Sequence, residues 1–323
     1  MMLSYLLRLF CLCLAAFFLV HTAAGLLVTL TARLAVRAAR GMPPRRAARF
    51  LFTLRLLPAA LALFFVLGVC VPSYLWLETE VSGEEVGAAC LAAAALAAAQ
   101  CAFALTRGLR AAARTRRHAR AWQQAARTSI LPGAASPVWI LDARPPVLAL
   151  AGVFRSRLVI SRPVLHALSP EQLAAALRHE EAHRRSHDNL KRLLLLLAPS
   201  LLPGVHGFAA LERAWARFTE WAADDAAVAG NPASSLSLAT ALVRVARLGG
   251  AVSPSPIAAA FLGDTSELSE RVDRLLCPIT AAPAPRRNPL AIAGALALSL
   301  AAACLLHPAS LASAHRLLED LIH

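Results

Sequence analysis

Four stretches of the chain carry no charged residue over close to the ~20 positions that a helix needs to cross a bilayer: Leu9 to Ala32, Leu56 to Leu77, Val86 to Leu105 and Pro289 to Leu306. All four are expected to be transmembrane helices. The third is mostly alanine and the fourth is short, so their helicity is better marked than their depth. A cleaved signal peptide is the alternative for the first stretch, but only Arg8 precedes it and a basic loop follows, so a span is expected.

Between the third and fourth stretches the pattern changes. A basic helix to about Arg127 is followed by three short aliphatic runs, 136–142, 146–154 and 156–161, bounded by Pro, Gly and Arg. These predict two or three strands. Ser169 then opens a helix: Pro170 suits its first position, and Gln172 can close a capping box with Ser169. The run from Leu193 to Leu211 is apolar but broken by Pro199, Pro203 and Gly204. It predicts a core hairpin or a segment lying against the membrane, and the second is favoured slightly. Helices are expected at 212–229, about 234–248 and 266–276, followed by a Pro-rich linker into the fourth span.

Charge refines this picture. The chain has 323 residues, a mean hydropathy of +0.57 and a net charge of +14. The arginines do not form a phosphate-tracking face, so no nucleic-acid partner is expected. They cluster in the loop after the first span (Arg33, Arg37, Arg40, Arg45, Arg46, Arg49) and after the third (Arg107, Arg110, Arg114, Arg116, Arg117, Arg120), whereas the loop between spans two and three is acidic. The positive-inside rule then places the N-terminus outside and the region from about 106 to 288 in the cytoplasm of a multi-pass inner (plasma) membrane protein. The seven cysteines form no C-x-x-C pair and are read as apolar packing residues.

The candidate chemistry lies in "RHEEAHRRSHD" (178–188), which contains an H-E-x-x-H, expected about 0.01 times by chance in a chain of this composition. Positions four apart share a helix face, so His179 and His183 can reach one metal ion. Glu180 borders that ion and can act as general base. Zn2+ suits imidazole and carboxylate ligands with one open position. In "EWAAD", Glu220 is the expected third ligand, and Asp224, one turn on, can orient a ligand imidazole. Without a metal, Glu220, Asp224 and Asp225 would be a solvated acidic face. Glu181, Arg184 and Arg185 read as a wet helix face, and Asp188 as holding the end of the motif helix against its neighbour. His187 reads as a surface histidine and His206 as a packed one, though either can stabilise a transition state. His21 is a polar residue inside span one with no partner nearby in sequence.

The combination of "HEEAH" followed by "RRSHDNL", the later "EWAAD" and the flanking spans resembles the gluzincin-type integral membrane peptidases, especially the BlaR/MecR-type antirepressor sensor-transducers. The stretch 147–183 is also similar to HtpX-like and CAAX-prenyl-protease relatives. The resemblance covers nearly the whole chain. It implies zinc on His179, His183 and Glu220, a catalytic Glu180, and a substrate-binding edge strand at 147–153. Relatives with an arginine near the end of the zinc domain point to Arg271. The penicillin-binding sensor of antibiotic-sensing members has no counterpart after residue 306, so no β-lactam binding is expected.

The expected fold is therefore a mostly α integral membrane protein. Residues 1–105 hold three spans (about 9–32, 56–77 and 86–105), 106–288 an α+β gluzincin-like zinc peptidase domain, and 289–323 the fourth span and a short tail. Its expected activity is metal-dependent endopeptidase cleavage of a protein or peptide, with a transcriptional repressor or the chain itself as candidate substrates. A non-catalytic membrane scaffold and an HtpX-type quality-control protease are the alternatives.

Overall fold

Apolar runs of about the length that a bilayer requires dictate the first layer. In the computed structural model, which describes residues 2–77, 87–142, 146–201, 207–249 and 265–277, helix α1 (Met2–Arg40) runs without a break through the first span and its basic end. Helix α2 (Pro44–Phe65) passes through a π-helical turn (Val66–Cys70) into α3 (Val71–Leu77). Helix α4 (Ala88–Ala125) joins the third apolar run to the basic helix predicted after it. Among the described residues, three helical stretches are thus long and apolar enough to cross a membrane. The expected fourth span, its linker and the acidic loop 78–85 lie outside the described residues.

Small side chains bring the three helices together. Leu12, Ala15, Ala16, Val66, Cys70, Tyr74 and Cys90 form one buried cluster, while Leu26, Leu27, Leu30, Leu63, Leu67 and Leu91 point outward. An alanine-rich face on α4 (Ala94, Ala97, Ala104) has no bulk to keep its neighbours away.

The second layer is a four-stranded sheet of β1 (Arg127–Ser129), β2 (Val138–Leu141), β3 (Leu148–Ala151) and β4 (Arg157–Ser161), in the order β1-β2-β4-β3. The β2/β4 pair is parallel and the two outer pairs are antiparallel, which leaves β3 on an edge. β1 lies where the sequence pattern predicted the end of the basic helix. Its Arg-Thr-Ser composition lacks the apolar alternation that marks a strand.

Helices α5 (Arg162–Ala167), α6 (Pro170–Ser186), α7 (Asp188–Leu197), α8 (Ala209–Val228), α9 (Pro232–Arg247) and α10 (Thr265–Leu276) complete the fold. α6 begins as its sequence predicts: Ser169 Oγ accepts from the Gln172 N–H, and Gln172 Oε1 accepts from the Ser169 N–H at 3.0 Å. It ends at His187, which turns left-handed (φ 53°) and starts α7 in a new direction. A core of Val138, Leu150, Ile160, Ala176, Leu177, Leu238 and Leu242 packs the sheet against α6 and α9.

The Pro/Gly-broken apolar run joins the two layers. Leu195, Leu201, Phe208 and Leu211 are buried against Val28, Ala32 and Leu51 of the apolar helices, so at these residues the run is packed inside protein rather than laid on lipid. Residues 202–206 lie outside the described residues. Gly25 and Gly108 permit the approach, because a Cβ there would collide with the Leu201 and Leu197 side chains. The C-terminal carbonyls of α7 are met by two arginines from the apolar helices. Arg107 donates to Leu196 (3.0 Å) and Ala198 (3.2 Å), and Arg55 to Ala198 (3.4 Å). Arg55 also pairs with Glu212 at 2.7 Å. The first turn of α8 is thereby anchored to α2.

Candidate metal centre

The 3.6-residue period of α6 places His179 and His183 on one buried face, with Glu180 buried beside them. α8 crosses α6 with Glu220 and Asp224 turned toward that face, both buried. His179 Nε2 and His183 Nε2 are 3.1 Å apart, and Glu220 Oε2 lies 3.6 Å and 3.5 Å from them. Three ligands bound at ~2.1 Å to one tetrahedral ion would stand about 3.4 Å from one another. The observed spacings meet that requirement. Among the described residues, His179, His183 and Glu220 form the group of His, Cys, Asp and Glu side chains that can hold a metal ion.

Each imidazole is backed by a carboxylate on its other nitrogen. Asp224 Oδ1 is 2.9 Å from His179 Nδ1, an ion-pair distance although not aligned as a hydrogen bond. Asp188 Oδ2 is 2.8 Å from His183 Nδ1. These contacts leave both Nε2 atoms facing the metal position. The Asp224 contact is the one expected from its spacing. Asp188 does more than steady the end of the motif helix.

Arg271 of α10 reaches the same point from 92 positions along the chain and is buried. It donates from Nε and one terminal nitrogen to Asp224 (2.9 and 2.7 Å), and its other terminal nitrogen lies 3.2 Å from Glu220 Oε2. Arg192 lies 3.5 Å from Glu220 Oε1. No spacing rule reveals either arginine; for Arg271 only the family resemblance gave a signal. His187 is exposed, and His206 lies outside the described residues.

Charge is distributed unevenly. Burial alone would raise the carboxyl pKa of Glu220, but the neighbouring His183 and His179 imidazoles and the Arg271 guanidinium hold it well below the usual range. Burial likewise opposes ionisation of Asp224, yet Arg271 and His179 bring it to about 2. His183 is disfavoured as a cation by burial, but Glu220 and Asp188 push it up to about 10. Glu180 differs: burial dominates and raises it to about 7, and neither of its carboxylate oxygens has a hydrogen-bond partner among the described residues. A carboxyl poised near neutrality can both take and give a proton. Beside it is a cavity of about 20 Å³, lined by Glu180 with Ser136, Leu150 and Leu177, large enough for one water.

The edge strand lies next to this cavity. Asn189 Nδ2 donates to the Leu150 and Gly152 carbonyls (3.2 and 2.7 Å), tying β3 to the start of α7. Val147 pairs inward with Ser161, so alternation turns the backbone groups of Leu148 and Leu150 outward.

Residues 112–253 match the family model of peptidase family M48. The matched segment includes the sheet, α6, α8 and all three candidate ligands, and ends before Arg271. Nothing in the match is specific to the antirepressor sensor-transducers. A comparison with curated proteins finds no significant match.

Proposed function

We propose that the chain is a membrane-embedded zinc endopeptidase of the M48 type that cleaves protein or peptide substrates at the cytoplasmic face. The observation that carries this reading is the convergence of His179, His183 and Glu220 at single-ion spacing, with Glu180 buried beside them. Two imidazoles and one carboxylate, with the remaining direction left to water or substrate, are a catalytic donor set for zinc. Bound there, zinc supplies Lewis acidity, polarising the scissile carbonyl and easing deprotonation of water.

The chain's own residues supply the rest. Glu180, poised near neutral pH by burial, takes the proton of the attacking water and returns it to the departing amine. Asp188 and Asp224 keep the histidines in the ligating tautomer. Arg271 offsets the charge of Glu220 and Asp224, and its guanidinium, 3.5 Å from His179 Nε2, is close enough to meet negative charge developing on the substrate carbonyl. The outward backbone groups of Leu148 and the N–H of Leu150 suit pairing with an extended peptide, while Asn189, which already donates to the Leu150 and Gly152 carbonyls, limits that edge from there on.

The arginine-rich ends of α1 and α4 support a cytoplasmic site and an external N-terminus. Regulated proteolysis, of a repressor or of the chain itself, is the role most in keeping with the sensor-transducer resemblance.

Zinc content and self-cleavage of the detergent-purified chain test the proposal together. Wild type should carry one zinc, Glu180→Gln should keep it and lose cleavage, and Glu220→Gln should lose both. A folded wild type without zinc, or cleavage undiminished in Glu180→Gln, would overturn it.

A further inference from the structure

Five arginines that the candidate metal centre does not use line one open groove. Arg33, Arg37 and Arg40 project from the end of α1 at helical spacings of four and three, and Arg213 and Arg217 from α8 at a spacing of four. The groove has a volume of about 690 Å³, and α10 closes its far side with Glu267 and Glu270. Five cations against two anions leave three positive charges in excess. Arg217 is paired across the groove, at 3.7 Å from Glu270. Arg33, Arg37, Arg40 and Arg213 form no ion pair among the described residues. Four unneutralised guanidiniums around one space repel each other, and an anion seated there would relieve the repulsion.

Position identifies the anion. The uncharged run of α1 ends at Ala32, so Arg33 stands where that helix would leave the hydrocarbon, and Arg37 and Arg40 follow one and two turns later. That is the level of the lipid phosphates. Val36, Ala210 and Ala214 give the groove an apolar floor beside the cationic walls. Guanidinium forks bind phosphate oxygens in pairs.

We propose that this groove binds the headgroup of an anionic phospholipid through Arg33, Arg37, Arg40 and Arg213. Its walls are the end of a span and the two helices that carry Glu220, Asp224 and Arg271, so a bound headgroup would link the bilayer surface to the helices of the metal centre. The inference rests on α1 crossing the membrane and does not depend on peptidase activity.

Native mass spectrometry of the full detergent-purified chain, titrated with dioleoylphosphatidylglycerol and with dioleoylphosphatidylcholine, tests it. The anionic lipid should bind about ten-fold or more tightly than the zwitterionic one. Arg37→Gln/Arg213→Gln should abolish that preference, whereas Arg116→Gln/Arg117→Gln, exposed on α4 outside the groove, should retain it. Equal binding of the two lipids, or an equal loss in both arginine variants, would overturn the proposal. So would displacement of the anionic lipid by an equal concentration of inorganic phosphate or of a short poly-glutamate peptide, which would make the groove a site for free anions or acidic protein. Zinc content, read on the same samples, should be unchanged by either variant, so failure of the lipid site and failure of the peptidase reading are separate results.

Discussion

Asp188 Oδ2 lies 2.8 Å from His183 Nδ1, just past the left-handed turn at His187 that ends the motif helix. The turn folds a carboxylate from the next helix back onto a candidate ligand imidazole. Asp224 does the same for His179 from α8, so each histidine is oriented by a residue outside its own helix. Outer carboxylates of this kind are worth ten- to a hundred-fold in metal affinity. Asp188→Asn and Asp224→Asn should each weaken zinc binding by about that factor in a competitive chelator titration. Asp225→Asn should not, because Asp225 turns away to Arg274 at 2.6 Å. An equal loss in all three would mean that the effect is general charge rather than orientation.

Arg271 neutralises a buried acidic cluster. It is fully desolvated between Asp224 and Glu220, with Glu180 close behind, and these carboxylates hold its own pKa above the ordinary arginine value. Removing one partner of a buried charge network leaves the others uncompensated, at a cost of about 3–5 kcal/mol. Arg271→Ala should lower the stability of the metal-free protein by that order. Added zinc, itself a cation at the same point, should narrow the gap to wild type. Thermal unfolding with and without zinc measures both, and a gap that zinc leaves unchanged would place the role of Arg271 outside the metal centre.

Zinc uptake should release a proton. In the metal-free protein, Glu220 and Asp188 push His183 up to about 10, so its imidazole is protonated at neutral pH. A metal binds only the neutral ring. The raised value favours the proton below pH 10, so zinc competes better as pH rises and worse as it falls. Affinity should increase about ten-fold per pH unit between pH 6 and 8. Calorimetry in two buffers of different ionisation enthalpy would count the proton directly. A pH-independent affinity would show that His183 is already neutral.

The sequence made some of this visible and hid the rest for physical reasons. The first three apolar stretches, the capped motif helix and the histidine pair at i and i+4 are local patterns, and the structure shows them as long apolar helices, a capped helix and two imidazoles on one face. Glu220 and Asp224 were legible because they repeat the same helical spacing forty residues later. Asp188 was visible only as a charged residue, since its role depends on a left-handed turn at a non-glycine residue, His187. Arg271 and Arg55 act across long sequence separations, and neither sits in a periodic pattern that would mark it. The strand β1 went unread because Arg127, Thr128 and Ser129 pair through backbone groups while offering no apolar face.

Arg55 and Glu212 should show how firmly the apolar helices hold the domain. Arg55 is 2% exposed, lies 4.1 Å from the centre of the Phe208 ring and bonds Glu212 at 2.7 Å; the Glu212 side chain is 39% exposed. The two partners are therefore not equivalent. Removing the carboxylate leaves the buried cation with only the Ala198 and Pro199 carbonyls and the Phe208 ring, at a cost of about 1.5–3 kcal/mol, whereas replacing both members of such a pair by neutral groups is often close to neutral. Glu212→Gln should therefore lower the melting temperature in detergent, and adding Arg55→Met should recover much of the loss. The second substitution removes the charge that the first one strands. If the double variant instead melts below Glu212→Gln by the full cost of Arg55→Met alone, the two residues are uncoupled, and α8 is held to α2 by the packing of Leu51, Leu211, Trp215 and Phe218 rather than by this ion pair.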